Sequence, residues 1–166
     1  MDKKKSTHIV LASLLLVTAQ AWAQTTPPAA PAAPPQASDS RAGFLKSVTG
    51  DVKILDSAGA SRPARSGDPI STTEQLVTAP EAGAGIVLRD GTSLVVGPSS
   101  QLDLKQFRYD STTNDGGMLL QLLRGSMRMV SGLVGKTHPE AVRVETQTAT
   151  IGIRGTDFIV TADGRP

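Results

Sequence analysis

Cysteine is absent from all 166 residues. In a chain that leaves the reducing cytoplasm, as its N-terminus implies, this excludes disulfide staples. Stability then rests on apolar burial and backbone hydrogen bonding. The same absence excludes a thiol nucleophile and a thiolate metal site. Aromatic residues make up only 3% of the chain. They are Trp22 near the N-terminus, then Phe44, Phe107, Tyr109 and Phe158. So few rings argue against a sugar-stacking platform or an aromatic cage, and suit thin β-layers filled by Val, Ile, Leu and Met. Helical periodicity is also missing after residue 42. Only Gly117 to Gly125 is leucine-rich enough to admit a short helix as an alternative.

Charge of one sign is scarce in the same way. The chain holds 17 basic and 15 acidic residues, but Lys3, Lys4, Lys5 and Asp2 all lie at the extreme N-terminus. Without them the balance is 14 against 14, so neither nucleic acid nor a polybasic membrane contact is expected. Those three lysines form the positive start of a secretory signal, Ile9 to Thr18 its apolar stretch, and Ala21-Trp22-Ala23 its small-x-small cleavage site. The apolar stretch falls short of the roughly 20 residues of a membrane-spanning helix, which disfavours an uncleaved anchor. Residues 1–23 are therefore read as a signal peptide cleaved after Ala23, and the protein as periplasmic or secreted without stable membrane insertion.

Residues 24–42 read as a Pro/Ala-rich linker. Pro27, Pro28, Pro31, Pro34 and Pro35 favour extended polyproline II, at about 3.1 Å per residue, and prevent packing into a core. From residue 43 to 166 the pattern has period two, broken by Gly, Pro, Asp and Ser. Phe44 to Val48 and Val52 to Leu55 flank Thr49-Gly50-Asp51, which reads as a hairpin-like turn. Ser57 to Pro69 reads as a loop. Gln75–Thr78, Gly85–Arg89, Ser93–Val96 and Gln101–Tyr109 are expected strands, with Ile86/Leu88, Leu94/Val96 and Leu102/Leu104 facing inward. Met118–Leu123 and Ser126–Val130 read as a strand pair around Arg124-Gly125, and Ser131–Glu140 as a loop. Val142/Val144, Ile151/Ile153 and Phe158/Val160 continue the alternation.

One unit occurs twice. Gly85 to Val96 and Thr148 to Val160 share a small residue, Ile, Arg, Gly, Thr and then a second strand. Each copy could bury its apolar face only against a neighbour, which predicts an all-β, twisted solenoid-like stack of short strands and hairpins, with a β-sandwich as the alternative. Asp90-Gly91-Thr92 is expected to form a turn with positive φ at or near Gly91 and Asp90 bonding its backbone. Gly152 and Gly155 are expected to permit a bend and close backbone approach. Arg154 is either buried on turn carbonyls or an exposed partner contact.

These residues resemble the FecR family, named for a periplasmic regulator of iron uptake. The resemblance runs from about Gly50 to Val160. It rests on Gly67-Asp68-Pro69-Ile70, Val77-Thr78, the hairpin around Asp90-Gly91-Thr92, Ser99-Ser100-Gln101-Leu102, the step at Arg124-Gly125-Ser126, and Thr148 to Phe158. Gln147-Thr148 stands where the family usually has Thr-Pro. The family's founding members carry a cytoplasmic segment that controls a sigma factor, where this chain has a signal peptide and linker. Family members usually continue beyond the last strand, so Asp157 to Thr161 is expected to lack a pairing partner and to offer an edge for self-association. The resemblance implies a periplasmic β-domain that binds other envelope proteins. Its motif residues, Asp90, Gly91, Thr92, Gly125, Gly152, Arg154, Gly155 and Thr156, are expected to be structural or to contact a partner.

Catalysis finds little support. His138 is the single histidine past the N-terminal segment, no Gly-x-Ser-x-Gly elbow is present, and scattered carboxylates make no metal-ligand cluster. Gly83-Ala84-Gly85 lacks the lysine and helix that phosphate binding requires. Arg124 and Arg128 read as a solvated face. The expectation is a non-enzymatic module for protein–protein interaction or scaffolding in the cell envelope, without a cofactor. Glycan or peptidoglycan binding is the first alternative, and a periplasmic sensor in signal transduction the second.

Overall fold

The computed structural model describes residues 41–164; the expected signal peptide and almost all of the linker lie outside them. The described chain is all-β, as its alternation predicts, apart from one short helix and one 3-10 turn. Twelve strands form a single sheet that is folded into two halves. The first half is ordered β4 (Pro69–Ser71), β1 (Arg41–Thr49), β6 (Gly83–Leu88), β7 (Ser93–Val96), β9 (Gly116–Val130) and β12 (Asp157–Ala162). The second is ordered β3 (Ser61–Pro63), β2 (Val52–Leu55), β5 (Gln75–Thr78), β8 (Gln101–Tyr109), the start of β9, β10 (Val142–Glu145) and β11 (Thr150–Gly152). Every pairing is antiparallel except β9 with β10.

The repeating element is a strand bent from one half into the other. Four such bends lie side by side, at Gly50-Asp51, at residues 79–82, at residues 97–100 and inside β9 at Gly125. Backbone bonds run across them, from the Ala79 amide to the Asp51 carbonyl (3.0 Å) and from the Ser99 amide to the Ala79 carbonyl (3.1 Å). Buried hydroxyls continue the ladder. Thr78 Oγ1 donates to the Gly97 carbonyl at 2.7 Å and accepts the Ser100 amide at 2.9 Å, and Ser100 Oγ accepts the Ser126 amide at 3.0 Å. The chain is thus one curled, mostly antiparallel sheet, held at its fold line by hydrogen bonds, because a bent sheet there has backbone groups that its ladders cannot pair.

Alternation fills the space between the halves. Leu45, Ile86, Leu94, Met127 and Met129 from the first half and Ile54, Leu76, Leu102, Leu120 and Leu122 from the second belong to one buried core. The inward sets Ile86/Leu88, Leu94/Val96, Leu102/Leu104 and Val142/Val144 are all buried, as period two dictates.

Four local expectations are corrected. Thr49-Gly50-Asp51 is not a hairpin, because β1 and β2 pair in different halves and not with each other. The segment read as a loop from Ser57 to Pro69 contains β3 and the first residue of β4. Arg124-Gly125 does not separate a strand pair, nor is there a helix. β9 runs unbroken for 15 residues and bends at Gly125, whose φ of +86° spares it the Cβ clash other residues would meet. The segment read as a loop from Ser131 to Glu140 holds α1 (Leu133–Thr137) and runs into the 3-10 turn Pro139–Ala141, a crossover that lets β10 return parallel to β9. The last strand is corrected too: β12 runs in unbroken register with β9, so the expectation that it lacks any partner fails on that side.

Candidate functional site

The two echoing motifs meet at one place. Asp90, only 2% exposed, closes its turn by accepting the Thr92 amide on Oδ1 (3.0 Å) and the Thr92 hydroxyl on Oδ2 (2.7 Å). Thr92 Oγ1 then accepts the Gly132 amide at 2.9 Å, and the Asp90 carbonyl accepts the Leu133 amide at 2.8 Å. From the other side, the Ser131 hydroxyl donates to the Gly155 carbonyl (3.1 Å) and the Ser131 amide to the Thr156 carbonyl (2.8 Å). Asp90, Gly91 and Thr92 thus start β7, Gly155 and Thr156 start β12, and both turns grip Ser131-Gly132 at the end of β9. Gly91 has φ +83°, as its turn requires.

The other motif residues stand apart. Gly125 marks the fold line, where a Cβ would come within 2.1 Å of Ser100 Oγ. Arg154 is exposed, so the buried reading of it is corrected. Gly152 has no atom within 4 Å of the place a Cβ would take, and neither has Gly155, so close backbone approach is corrected at both. Ser131 and Gly132 were not foreseen. Thr78 and Ser100 lie in the quoted motif stretches, but without the roles found here, which depend on partners far along the chain.

A second feature lies on the outer face of the first half. Register places Pro69, Phe44, Val87, Ser93, Val130 and Asp157 opposite one another in a row across all six strands. The adjacent row runs Ser47, Gly85, Val95, Arg128 and Ile159. Phe44, Val95, Val130 and Ile159 are 47%, 53%, 41% and 70% exposed, a band of large apolar side chains facing solvent. On the second half the outward positions include Lys53, Gln101, Asp103, Lys105 and Arg143. A sequence signal for the band exists: Leu94-Val95-Val96 and Phe158-Ile159-Val160 are apolar at every position where a half-buried strand would alternate.

An ion pair crosses the band. Arg128 donates to Asp157 through Nε (2.9 Å) and Nη2 (2.6 Å), a two-pronged contact that ties β12 to β9. That hydrogen bonding holds the Asp157 carboxyl below its ordinary range and raises the Arg128 guanidinium.

An open polar cleft of about 650 Å³ lies elsewhere, at the β8–β9 loop, lined by Arg108, Tyr109, Asp110, Ser111, Asp115 and Gly116. Tyr109 Oη donates to Asn114 Oδ1 at 3.1 Å, and the Thr112 and Thr113 amides lower the Asp110 pKa. His138 Nε2 lies 2.8 Å from Asp115 Oδ1 and its Nδ1 3.5 Å from Glu140 Oε1. These contacts brace the loop against the 3-10 turn.

A family model described as FecR protein matches residues 74–166. A solved structure titled "Cell surface anchoring domain" is 31% identical, covering 37% of this chain and 80% of that chain, with a TM-score of 0.36. No curated protein matches the chain.

Proposed function

The chain belongs to the FecR family, and we propose that it is a non-enzymatic interaction or scaffolding module of the bacterial cell envelope, exported to the periplasm or beyond. The observation that carries this reading is the apolar band of Phe44, Val95, Val130 and Ile159 on one outer face. Leaving those side chains in water is unfavourable, and a protein partner with an apolar face of its own would relieve it. Family membership agrees with a periplasmic place of action, and among the described residues no helix is long and apolar enough to cross a membrane. A glycan partner fits the band less well. Sugar faces stack on rings, and Phe44 is the band's single ring.

The reading is tested by capture from envelope extract with the wild-type chain and with Val95→Lys and Val130→Lys variants. A reproducible partner retained by the wild type and lost by both variants supports it. Equal capture by all three, or strong pelleting of the wild type with purified peptidoglycan, overturns it.

A further inference from the structure

We infer that the Asp115-Gly116 step is a self-modification site, where the folded chain rearranges aspartate to isoaspartate, while the fold locks the like step Asp90-Gly91 against the same reaction. This does not rest on the envelope-partner reading.

The chemistry needs an Asp carboxyl free to turn back on the next amide nitrogen, and a residue there with no Cβ to crowd the ring that forms. The Gly116 nitrogen attacks Cγ of the protonated Asp115 carboxyl. The N–Cγ bond forms, a Cγ–O bond breaks, and the hydroxyl leaves with the amide proton as water. Water then opens the cyclic imide by cleaving the bond between the Gly116 nitrogen and the Asp115 main-chain carbonyl carbon. The chain now runs through Cγ, and the former main-chain carbonyl is a free carboxylate. The water lost in the first step is regained in the second, so the change needs no oxidant, reductant or co-reactant.

Asp-Gly occurs at residues 90–91, 115–116 and 163–164, the last bordering residues outside the described ones. The two internal steps are opposites. Asp90 is 2% exposed, and its two carboxylate oxygens accept the Thr92 amide and the Thr92 hydroxyl. The Gly91 amide is held as well, donating to the Leu88 carbonyl at 3.0 Å. Neither reacting group can move without breaking those bonds.

Asp115 is open. Its side chain is 65% exposed, and only Oδ1 is engaged, 2.8 Å from His138 Nε2. The Asp110 amide donates to the Asp115 carbonyl at 2.8 Å, and Tyr109 and Gly116 are the next opposite pair. Opposite pairs alternate between exchanging bonds and not, so the Gly116 N–H points away from β8. β10 joins β9 only from Met118 onward and does not take up that amide. Isoaspartate would add a methylene to the backbone at the residue that closes the loop. That breaks the Asp110–Asp115 closure and the His138 contact, and remodels the polar cleft that Asp115 lines.

The test incubates the purified folded chain in warm neutral buffer and digests it. Fragmentation then distinguishes isoaspartyl from aspartyl peptides, which have equal mass. Isoaspartate at position 115 is expected to exceed that at position 90 about tenfold or more, because Asp90 reacts only when its turn opens. In denaturant the two steps should react alike. Asp115→Asn forms the same imide with ammonia as the leaving group, and should give isoaspartate at position 115 faster than the wild type. Melting curves verify that the variant folds. Unmodified Asp115 in the folded wild type, or equal isoaspartate at both positions of the folded chain, would overturn the inference. So would a difference that persists in denaturant, or an Asp115→Asn variant that yields aspartate alone.

Discussion

The hydroxyl of Thr92 accepts the Gly132 amide at 2.9 Å while donating to Asp90 at 2.7 Å, so a turn residue and the start of a crossover 40 positions later share one oxygen. That single atom satisfies a buried carboxylate and a buried amide at once.

Thr92→Val keeps the shape and removes the hydroxyl, leaving Asp90 Oδ2 and the Gly132 amide without their partner. Each unsatisfied buried group costs about 1–3 kcal/mol. A loss of about 2–4 kcal/mol is expected in denaturant unfolding, against about 1 kcal/mol or less for the exposed Thr156→Val, since it is the Thr156 backbone carbonyl that accepts the Ser131 amide. Equal losses would refute the shared-oxygen account.

The glycines should rank by space and conformation. A Cβ at Gly132 would stand 2.3 Å from the Thr92 amide nitrogen and 2.4 Å from the Asp90 carbonyl oxygen, so Gly132→Ala must displace backbone. Its expected cost is above about 3 kcal/mol. Gly91→Ala meets open space and carries only the burden of φ +83°, about 1 kcal/mol. Gly152→Ala, exposed and unobstructed, should leave the melting temperature unchanged. The reverse order in thermal melts would show the motif glycines to outweigh the unforeseen one.

Ser100→Ala removes the oxygen that accepts the Ser126 amide at the fold line. A destabilisation of about 1–3 kcal/mol is expected. Hydrogen exchange should show it as faster exchange at Ser126 before any global loosening; unaltered exchange there would contradict the ladder's role.

The Arg128–Asp157 pair gives a pH dependence. The folded Asp157 pKa lies below its ordinary value of 3.8, so its contribution is fully present above that value. It is lost as pH falls through the lowered folded value. Exchange protection in β12 should therefore drop on acidification below about pH 4, and Asp157→Asn should remove that drop while leaving β12 less protected at neutral pH. Identical acid profiles for the two proteins would exclude the pair as the cause.

The strands β5 to β8, their inward side chains and the Asp90-Gly91-Thr92 turn were legible because period two and turn chemistry are local properties. The candidate surface was half legible, in the all-apolar triplets at Val95 and Ile159. Its extent was not, since rows across six strands depend on register between segments as distant as Phe44 and Val130. The Thr49-Gly50-Asp51 turn failed for a related reason. A tight Gly-containing turn between two strands looks the same whether the strands pair or bend apart.

The sequence by itself determined the β-character of the described domain, the inward face of most strands and the family. Each follows from side-chain alternation and from short motifs whose residue types have steric causes. Tertiary structure alone decided that Gly125 bends one long strand instead of ending it. It also decided that the echoing turns at Thr92 and Thr156 close on the same Ser131-Gly132 junction. Backbone hydrogen bonds are chemically alike at every residue, so which strand lies beside which is settled only when all the apolar faces are buried together.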